Sequence, residues 1–203
     1  LNVLPPGVER HVVNAGGLTG FQIFPDDEVE IINNEGNQIC EIICFGKDGN
    51  SDLGILNLKS NNEKNFIRNI LNGNDETILA TNYQLKKRNL DIEKSKSSIL
   101  FDKDTVAKET IKLKSKDKCY CIISAPGNAM LVHEQNPSTD LTVLVKRAEK
   151  KEDKEFSLIP DPVYDPSGEI DIKRTTADSY QVKEGDYIQV ITPTGRQCSD
   201  LSL

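Results

Sequence analysis

Two similar polar stretches contain the residues of this chain best suited to binding or acid–base chemistry. Each has a glycine, a glutamine two residues later and an acid three residues beyond, with an arginine added in the second: Gly36, Gln38 and Glu41, then Gly195, Arg196, Gln197 and Asp200. The glycines are expected at structural turns, where a positive φ costs them little. The amide and carboxylate groups could line a polar ligand pocket. The alternative, which the residues alone favour, is a hairpin whose buried polar ends satisfy backbone groups.

A further group of candidates combines Cys119 and Cys121 with His133. The two thiols share one face of a predicted strand, and a loop histidine beside a carboxylate could serve as a ligand or a general base. Structural zinc sites normally contain a second pair of ligands, which the neighbouring sequence lacks. We therefore predict packing cysteines and no metal. His133 stays a candidate ligand-binding residue, the alternative being a solvated loop side chain.

Composition argues against several other functions. Lys and Arg number 25 against 32 Asp and Glu, a net charge of −7, so the chain lacks the basic surface that nucleic acid or an anionic membrane needs. The glycine-rich segment 14–20 lacks the lysine of a phosphate-binding loop. No apolar run is long enough to span a bilayer. The five cysteines, an odd number, do not fit a secreted disulfide framework, so we expect a cytoplasmic protein with reduced thiols.

Short strands dominate the predicted secondary structure that must position these residues. Apolar alternation predicts strands on both sides of residues 33–37, joined there as a hairpin. Further strands are predicted at residues 77–81, 98–101, 109–113, 119–124 and 141–146. The only helix predicted covers residues 62–71 and ends at Asn72-Gly73. Many short strands with one short helix predict a mainly β module, either a barrel or a sandwich.

The chain divides by composition into two β modules and a linker. Residues 149–168 are charged and rich in proline, and they separate a first module at 1–148 from residues 169–203. At an offset of 159 residues, Phe21-Gln22-Ile23 aligns with Tyr180-Gln181-Val182, and the two polar stretches fall into register. A repeat at this spacing indicates duplicated modules. The second copy is predicted to be the truncated start of a related module, unless its strands complete the sheet of the first.

The second polar stretch carries a family resemblance. Residues 185–191, followed by Gly-Arg-Gln-Cys-Ser-Asp at 195–200, resemble the urea carboxylase-associated family, a domain of unknown function whose opening motif reads Gly-x-Gln-x-x-Asp after a strand. Residues 131–137 and 161–164 are similar to one subgroup, in which such modules precede a glycine-cleavage T-protein-like aminomethyltransferase. The resemblance implies motif roles for Gly195, Gln197 and Asp200, and more weakly for their counterparts in the first module. It also implies a folate cofactor in a downstream domain and none in this chain.

Three hypotheses for function follow from these observations. The preferred one is the N-terminal, non-catalytic portion of an aminomethyltransferase-linked protein in one-carbon or nitrogen metabolism, inactive alone. A second is a small-molecule amidine or urea-type hydrolase, similar to a carboxyguanidine deiminase, whose site needs residues beyond Leu203. A third is a scaffold module without enzymatic activity. The expected partners are the rest of its own chain, a small-molecule ligand and a second copy in a homo-oligomer, with no nucleic acid and no membrane.

Overall fold

A computed structural model describes residues 4–5, 7–61, 65–127, 137–148, 164–191 and 198–202. The chain falls into two compact units, Leu1–Glu149 and Lys150–Leu203. No helix in these described ranges is both long enough and apolar enough to cross a membrane.

The first unit is built from eight short strands in two open antiparallel sheets. The strands are β1 (Val8–Val13), β2 (Leu18–Ile23), β3 (Glu28–Asn33), β4 (Cys40–Phe45), β5 (Ser97–Phe101), β6 (Thr110–Lys114), β7 (Cys119–Ser124) and β8 (Leu141–Lys146). One sheet has the order β1-β8-β3-β6, and the other has the order β2-β7-β4-β5. The predicted mainly β fold is confirmed, and within the described residues neither sheet closes into a barrel.

The two sheets share one apolar core. Side chains alternate between the two faces of a strand, and the inward positions of these strands are apolar. Val29 and Ile31 of β3 and Ile42 of β4 belong to the same buried cluster, each exposed by 1 % or less. Removing one such side chain from water is worth about 1.5–3 kcal/mol. The core between the sheets is therefore the main source of stability in this unit.

A helical layer covers the outer face of the second sheet. It consists of α1 (Phe66–Leu71) and α2 (Glu76–Lys87), preceded along the chain by a short 3-10 helix at Leu53–Leu56. Ile67 of α1 and Leu85 of α2 pack with Ile43, Phe45 and other residues of β4 and β7 in a second buried cluster. All six residues of β4 are buried, because the core covers one face of this strand and the helices cover the other.

The strand predicted at residues 77–81 is wrong, because this segment lies inside α2. Thr77, Ile78 and Thr81 are β-branched and favour strands by intrinsic preference. Asp75 outweighs that preference as an N-cap, since its side chain accepts a hydrogen bond from the Ile78 backbone N–H at 3.0 Å. The described part of the helix predicted at 62–71 is confirmed as α1, so the helical layer contains one α-helix more than the sequence predicted.

The hairpin predicted across residues 33–37 is also wrong. β3 pairs with β6 and β8, whereas β4 pairs with β5 and β7. The turn at residues 34–37 therefore carries the chain from one sheet to the other. A glycine turn between two apolar arms has the same sequence pattern in both arrangements, since only long-range pairing distinguishes them.

The second unit is described at residues 164–191 and 198–202. Its described residues form turns at 174–175 and 184–185 and no strand. Large apolar side chains that the repeat places on strands are exposed, among them Tyr187 at 56 % and Val190 at 60 %. The rings of Tyr164 and Tyr187 lie 5.5 Å apart between centroids. The strand pairing expected of a second β module is thus absent from the described part of this unit.

Candidate functional site

The turn at Gly36 is organised by the buried side chain of Asn33. Its Oδ1 accepts a hydrogen bond from the Gly36 N–H at 2.9 Å, and its Nδ2 donates to the Gln38 carbonyl at 2.9 Å. Gly36 has φ of +84°, and a Cβ at this position would lie 2.7 Å from the Ala107 backbone nitrogen. The position therefore requires glycine both for its backbone angle and for its close contact with the segment before β6.

Gln38 uses its amide group to join three segments of the first unit. Its Nε2 donates to the carbonyls of Ile39 at 2.9 Å and Pro126 at 3.1 Å. Its Oε1 accepts from the Thr139 N–H at 2.7 Å, and the residue is 3 % exposed. Both amide hydrogens are thus used inside the protein. This arrangement matches the structural alternative for Gln38, in which a buried polar side chain satisfies backbone groups.

Glu41 holds the first helix against the second sheet. The residue is fully buried, and its Oε2 accepts a hydrogen bond from the Ile67 backbone N–H at 2.6 Å. Ser124 is its cross-strand partner on β7. Gln38 and Glu41 thus bond to different backbone groups, the first to Ile39, Pro126 and Thr139 and the second to Ile67.

The remaining residues of the predicted site fall mostly outside the described ranges. Gly195, Arg196, Gln197 and His133 all lie outside the described residues. Asp200 is described and exposed. The roles assigned to these five residues from sequence stay predictions.

Three cysteine side chains converge between β4 and β7, and we name Cys44, Cys119 and Cys121 the thiol cluster. The Sγ atom of Cys121 lies 3.2 Å from that of Cys44 and 3.7 Å from that of Cys119. The sequence pointed to Cys119 and Cys121 but not to Cys44, which lies 77 residues before Cys121. The signal was available in β4, where Cys40, Ile42 and Cys44 alternate toward the core.

Hydrogen bonding makes the three thiols unequal. Hydrogen bonds with Cys121, Cys44 and Ser115 hold the pKa of Cys119 well below its ordinary value, against burial, which raises it. Hydrogen bonding to Cys119 raises the pKa of Cys44, and burial raises that of Cys121. Within the cluster, the pKa of Cys119 is thus lowered while those of Cys44 and Cys121 are raised. In the part of the chain that the structure describes, no group of three or more His, Cys, Asp or Glu side chains has the arrangement of a metal site.

An ionic network that sequence reasoning missed joins the two ends of the first unit. Arg147 donates from Nε and Nη2 to the Glu9 carboxylate, both at 2.7 Å, and from Nη1 to Asp27 at 2.7 Å. Asp27 is fully buried and also accepts from the backbone N–H groups of Phe24 and Ala148. Burial raises the pKa of Glu9, but its hydrogen bonds with His11 and Arg147 outweigh burial and lower that pKa to about 2. Every carboxylate here is committed to structural bonds.

Comparison with known proteins links this chain to part of an enzyme. No protein-family model matches the sequence. A trimethylamine-oxide aldolase of Ruegeria pomeroyi is 35% identical to it over 197 residues, which are 97% of this chain. The matched region makes up 25% of the aldolase, so the chain spans about a quarter of the length of this curated relative.

Proposed function

We propose that this chain is a non-catalytic module at the N-terminal end of a larger enzyme that acts on trimethylamine oxide. The observation that carries the proposal is the internal bonding of its polar side chains. Gln38 and Glu41 bond to backbone groups within the first unit, and Glu9, Asp27 and Arg147 bond to one another. Catalytic acids and bases need access to the substrate, which the buried side chains of Gln38, Glu41 and Asp27 do not have.

The similarity to a trimethylamine-oxide aldolase supports the choice of substrate. An aldolase releases an aldehyde, and the only aldehyde that a methyl group of trimethylamine oxide can become is formaldehyde. Dimethylamine then contains the remaining atoms. In this proposal the groups that carry out the reaction lie in residues beyond those of this chain, and the present module stabilises or assembles them.

The urea carboxylase-associated family and its aminomethyltransferase fusion fit the same arrangement and stay predictions. An aminomethyltransferase-like domain with folate would accept a one-carbon unit at the oxidation level of formaldehyde. The folate prediction concerns residues outside this sequence.

The test compares three proteins made from the parent gene. The whole protein is expected to release formaldehyde and dimethylamine from trimethylamine oxide, followed by ¹H NMR of the N-methyl signals. The 203-residue chain alone is expected to release neither. A whole-protein Gln38→Met variant is expected to melt several degrees lower, because buried partners of the amide lose their hydrogen bonds, while kcat per folded molecule is unchanged.

Three results would overturn this proposal. A gene that stops close to Leu203 would remove the larger enzyme, and turnover by the chain alone would make the module catalytic. A whole protein that leaves trimethylamine oxide intact would remove the substrate. In that case ammonia release from guanidine or urea would favour the amidine or urea-type hydrolase.

A further inference from the structure

We propose that the thiol cluster is a site of reversible oxidation, at which a peroxide oxidises Cys119 and a disulfide then forms between Cys44 and Cys121. The proposal rests on the positions of the three sulfur atoms and is independent of the activity of the larger enzyme.

Cys44 and Cys121 are placed to form a disulfide because they are direct partners in the antiparallel ladder of β4 and β7. Such partners have Cα atoms about 4.5–5.5 Å apart, within the range of about 4.4–6.8 Å that disulfides accept. Their sulfur atoms are 3.2 Å apart, so a bond of about 2.05 Å requires a movement near 1 Å in total, about what rotation of the two side chains supplies. The backbone can keep its pairing while this bond forms.

Cys119 and Cys121 are less suited to remain bonded to each other. They are two residues apart on β7, and two steps along a strand span about 6.4–6.8 Å between Cα atoms. This spacing lies at the upper limit for a disulfide, so a Cys119–Cys121 bond would be strained and easily reduced. Cys44 lies close to the Cys121 sulfur and can relieve the strain by exchange.

Cys119 is the thiol that an oxidant reaches first. It is 3 % exposed, whereas Cys44 and Cys121 are fully buried. Hydrogen bonds with Cys121, Cys44 and Ser115 also lower its pKa, and the thiolate is the reactive form of cysteine. Hydrogen peroxide is little larger than water, so a small local opening beside Cys119 is sufficient for its entry.

The reaction proceeds in three balanced steps. The Cys119 thiolate attacks one peroxide oxygen, the O–O bond breaks, and hydroxide leaves and is protonated to water, which gives a sulfenic acid. The Cys121 thiol attacks the sulfenic sulfur, and its proton leaves with the hydroxyl group as a second water. The Cys44 thiol then attacks the Cys121 sulfur and passes its proton to Cys119. In total, two thiols lose two hydrogen atoms and one hydrogen peroxide becomes two waters.

Cys40 provides a matched control on the same strand. It is fully buried and faces the same core as Cys44, and within the described residues the sulfur–sulfur hydrogen bonds join only the three members of the thiol cluster. Burial, followed by the nearby charge of Glu41, raises its pKa. It is therefore expected not to react.

The experiment treats the purified 203-residue chain with hydrogen peroxide in a Cys198→Ser background, because Cys198 is exposed and reacts independently. Intact mass is expected to fall by two hydrogen atoms, and peptides mapped without reduction are expected to show a Cys44–Cys121 linkage. Excess dithiothreitol is expected to restore the starting mass. A further Cys119→Ser change is expected to slow disulfide formation by about tenfold or more, and a further Cys40→Ser change is expected to leave the rate unchanged.

A second measurement leaves the three cluster cysteines unchanged, so it does not depend on whether the variants fold. Disulfide formation in the native chain is expected to be faster than in urea, because the fold holds the sulfur atoms together. Equal or faster formation in urea would overturn the proposal. So would oxidation of Cys119 to sulfinic acid with no disulfide, or zinc bound stoichiometrically through the three thiols of the purified chain.

Discussion

Arg147 is a single side chain that connects the beginning and the end of the first unit. Its guanidinium group is planar and makes paired bonds to Glu9 and a further bond to the buried Asp27. Paired bonds of this kind are stronger than ordinary hydrogen bonds and fix the orientation of both partners. Lysine at this position would keep the charge but lose the planar geometry, so the fold depends on arginine here and not merely on a positive charge.

The lowered pKa of Glu9 predicts a loss of stability in acid. Its pKa falls from an ordinary value of 4.5 to about 2 in the folded chain, so ionised Glu9 stabilises the fold above about pH 4.5, and this contribution disappears as the pH falls toward 2. Glu9→Gln is expected to lower the free energy of unfolding at pH 7 by about 1 kcal/mol, since the carboxylate is one-third exposed and solvent screens it. Urea unfolding at pH 7, 5 and 3 measures the effect.

The matched control for Glu9 is Glu30→Gln, which removes a surface pair with Lys112 at 3.8 Å. This change is expected to alter stability by less than about 0.5 kcal/mol at all three pH values. Equal pH profiles for Glu9→Gln and the unmodified chain would show that the Arg147 network does not depend on the ionisation of Glu9.

At the scale of elements, sequence alone predicts most of the later strands but not all of the helices or the strand pairing. β7 and β8 were predicted at their observed bounds, and β5 and β6 within one residue, because apolar alternation is a local signal. The prediction of a strand at 77–81 was wrong because tertiary packing and an N-cap overrode the β preference of these residues. The prediction that β3 pairs with β4 was wrong because local sequence does not specify which sheet a strand joins.

The candidate site shows the same division between local and long-range information. Burial of Cys119 and Cys121 could be predicted because they alternate along an apolar strand. Their contact with Cys44 could not, because it depends on the register of β7 against β4. Gln38 is predicted as a ligand-binding residue, with a structural role in a hairpin as the alternative. The structure shows it buried and bonded to Pro126 and Thr139, partners that are distant in sequence and that local patterns do not reveal.

The helical layer leads to a prediction about α2. Leu85→Ala is expected to lower the free energy of unfolding by about 2–4 kcal/mol, because Leu85 is 3 % exposed and packs against the second sheet. Leu79→Ala is the matched control on the same helix. Leu79 is 49 % exposed, so its truncation is expected to cost less than about 1 kcal/mol. Chemical unfolding of both variants measures the difference, and equal losses would contradict the packing of α2 on the sheet.

At the scale of the whole molecule, we expect the first unit to fold without the second. A chain of residues 1–149 is expected to unfold cooperatively, with a melting temperature within about 2 °C of the full chain, because its core is contained within that range. A chain of residues 1–146 is expected to lose about 3 kcal/mol, because the buried Asp27 carboxylate loses Arg147 and Ala148. Scanning calorimetry of the two fragments tests this expectation, and equal stabilities would show that the network contributes nothing.

The pairing of β1 with β8 has a consequence for how such a protein evolves. Val8 lies opposite Lys146 in the antiparallel ladder, so the chain enters and leaves the first unit at neighbouring points. A domain whose termini lie close together can be duplicated in tandem, inserted into another protein or circularly permuted without disturbing the adjoining structure. The sequence repeat at an offset of 159 residues is the pattern that tandem copying of such a unit would leave. A circular permutant with new termini in the loop at residues 46–52 should therefore fold.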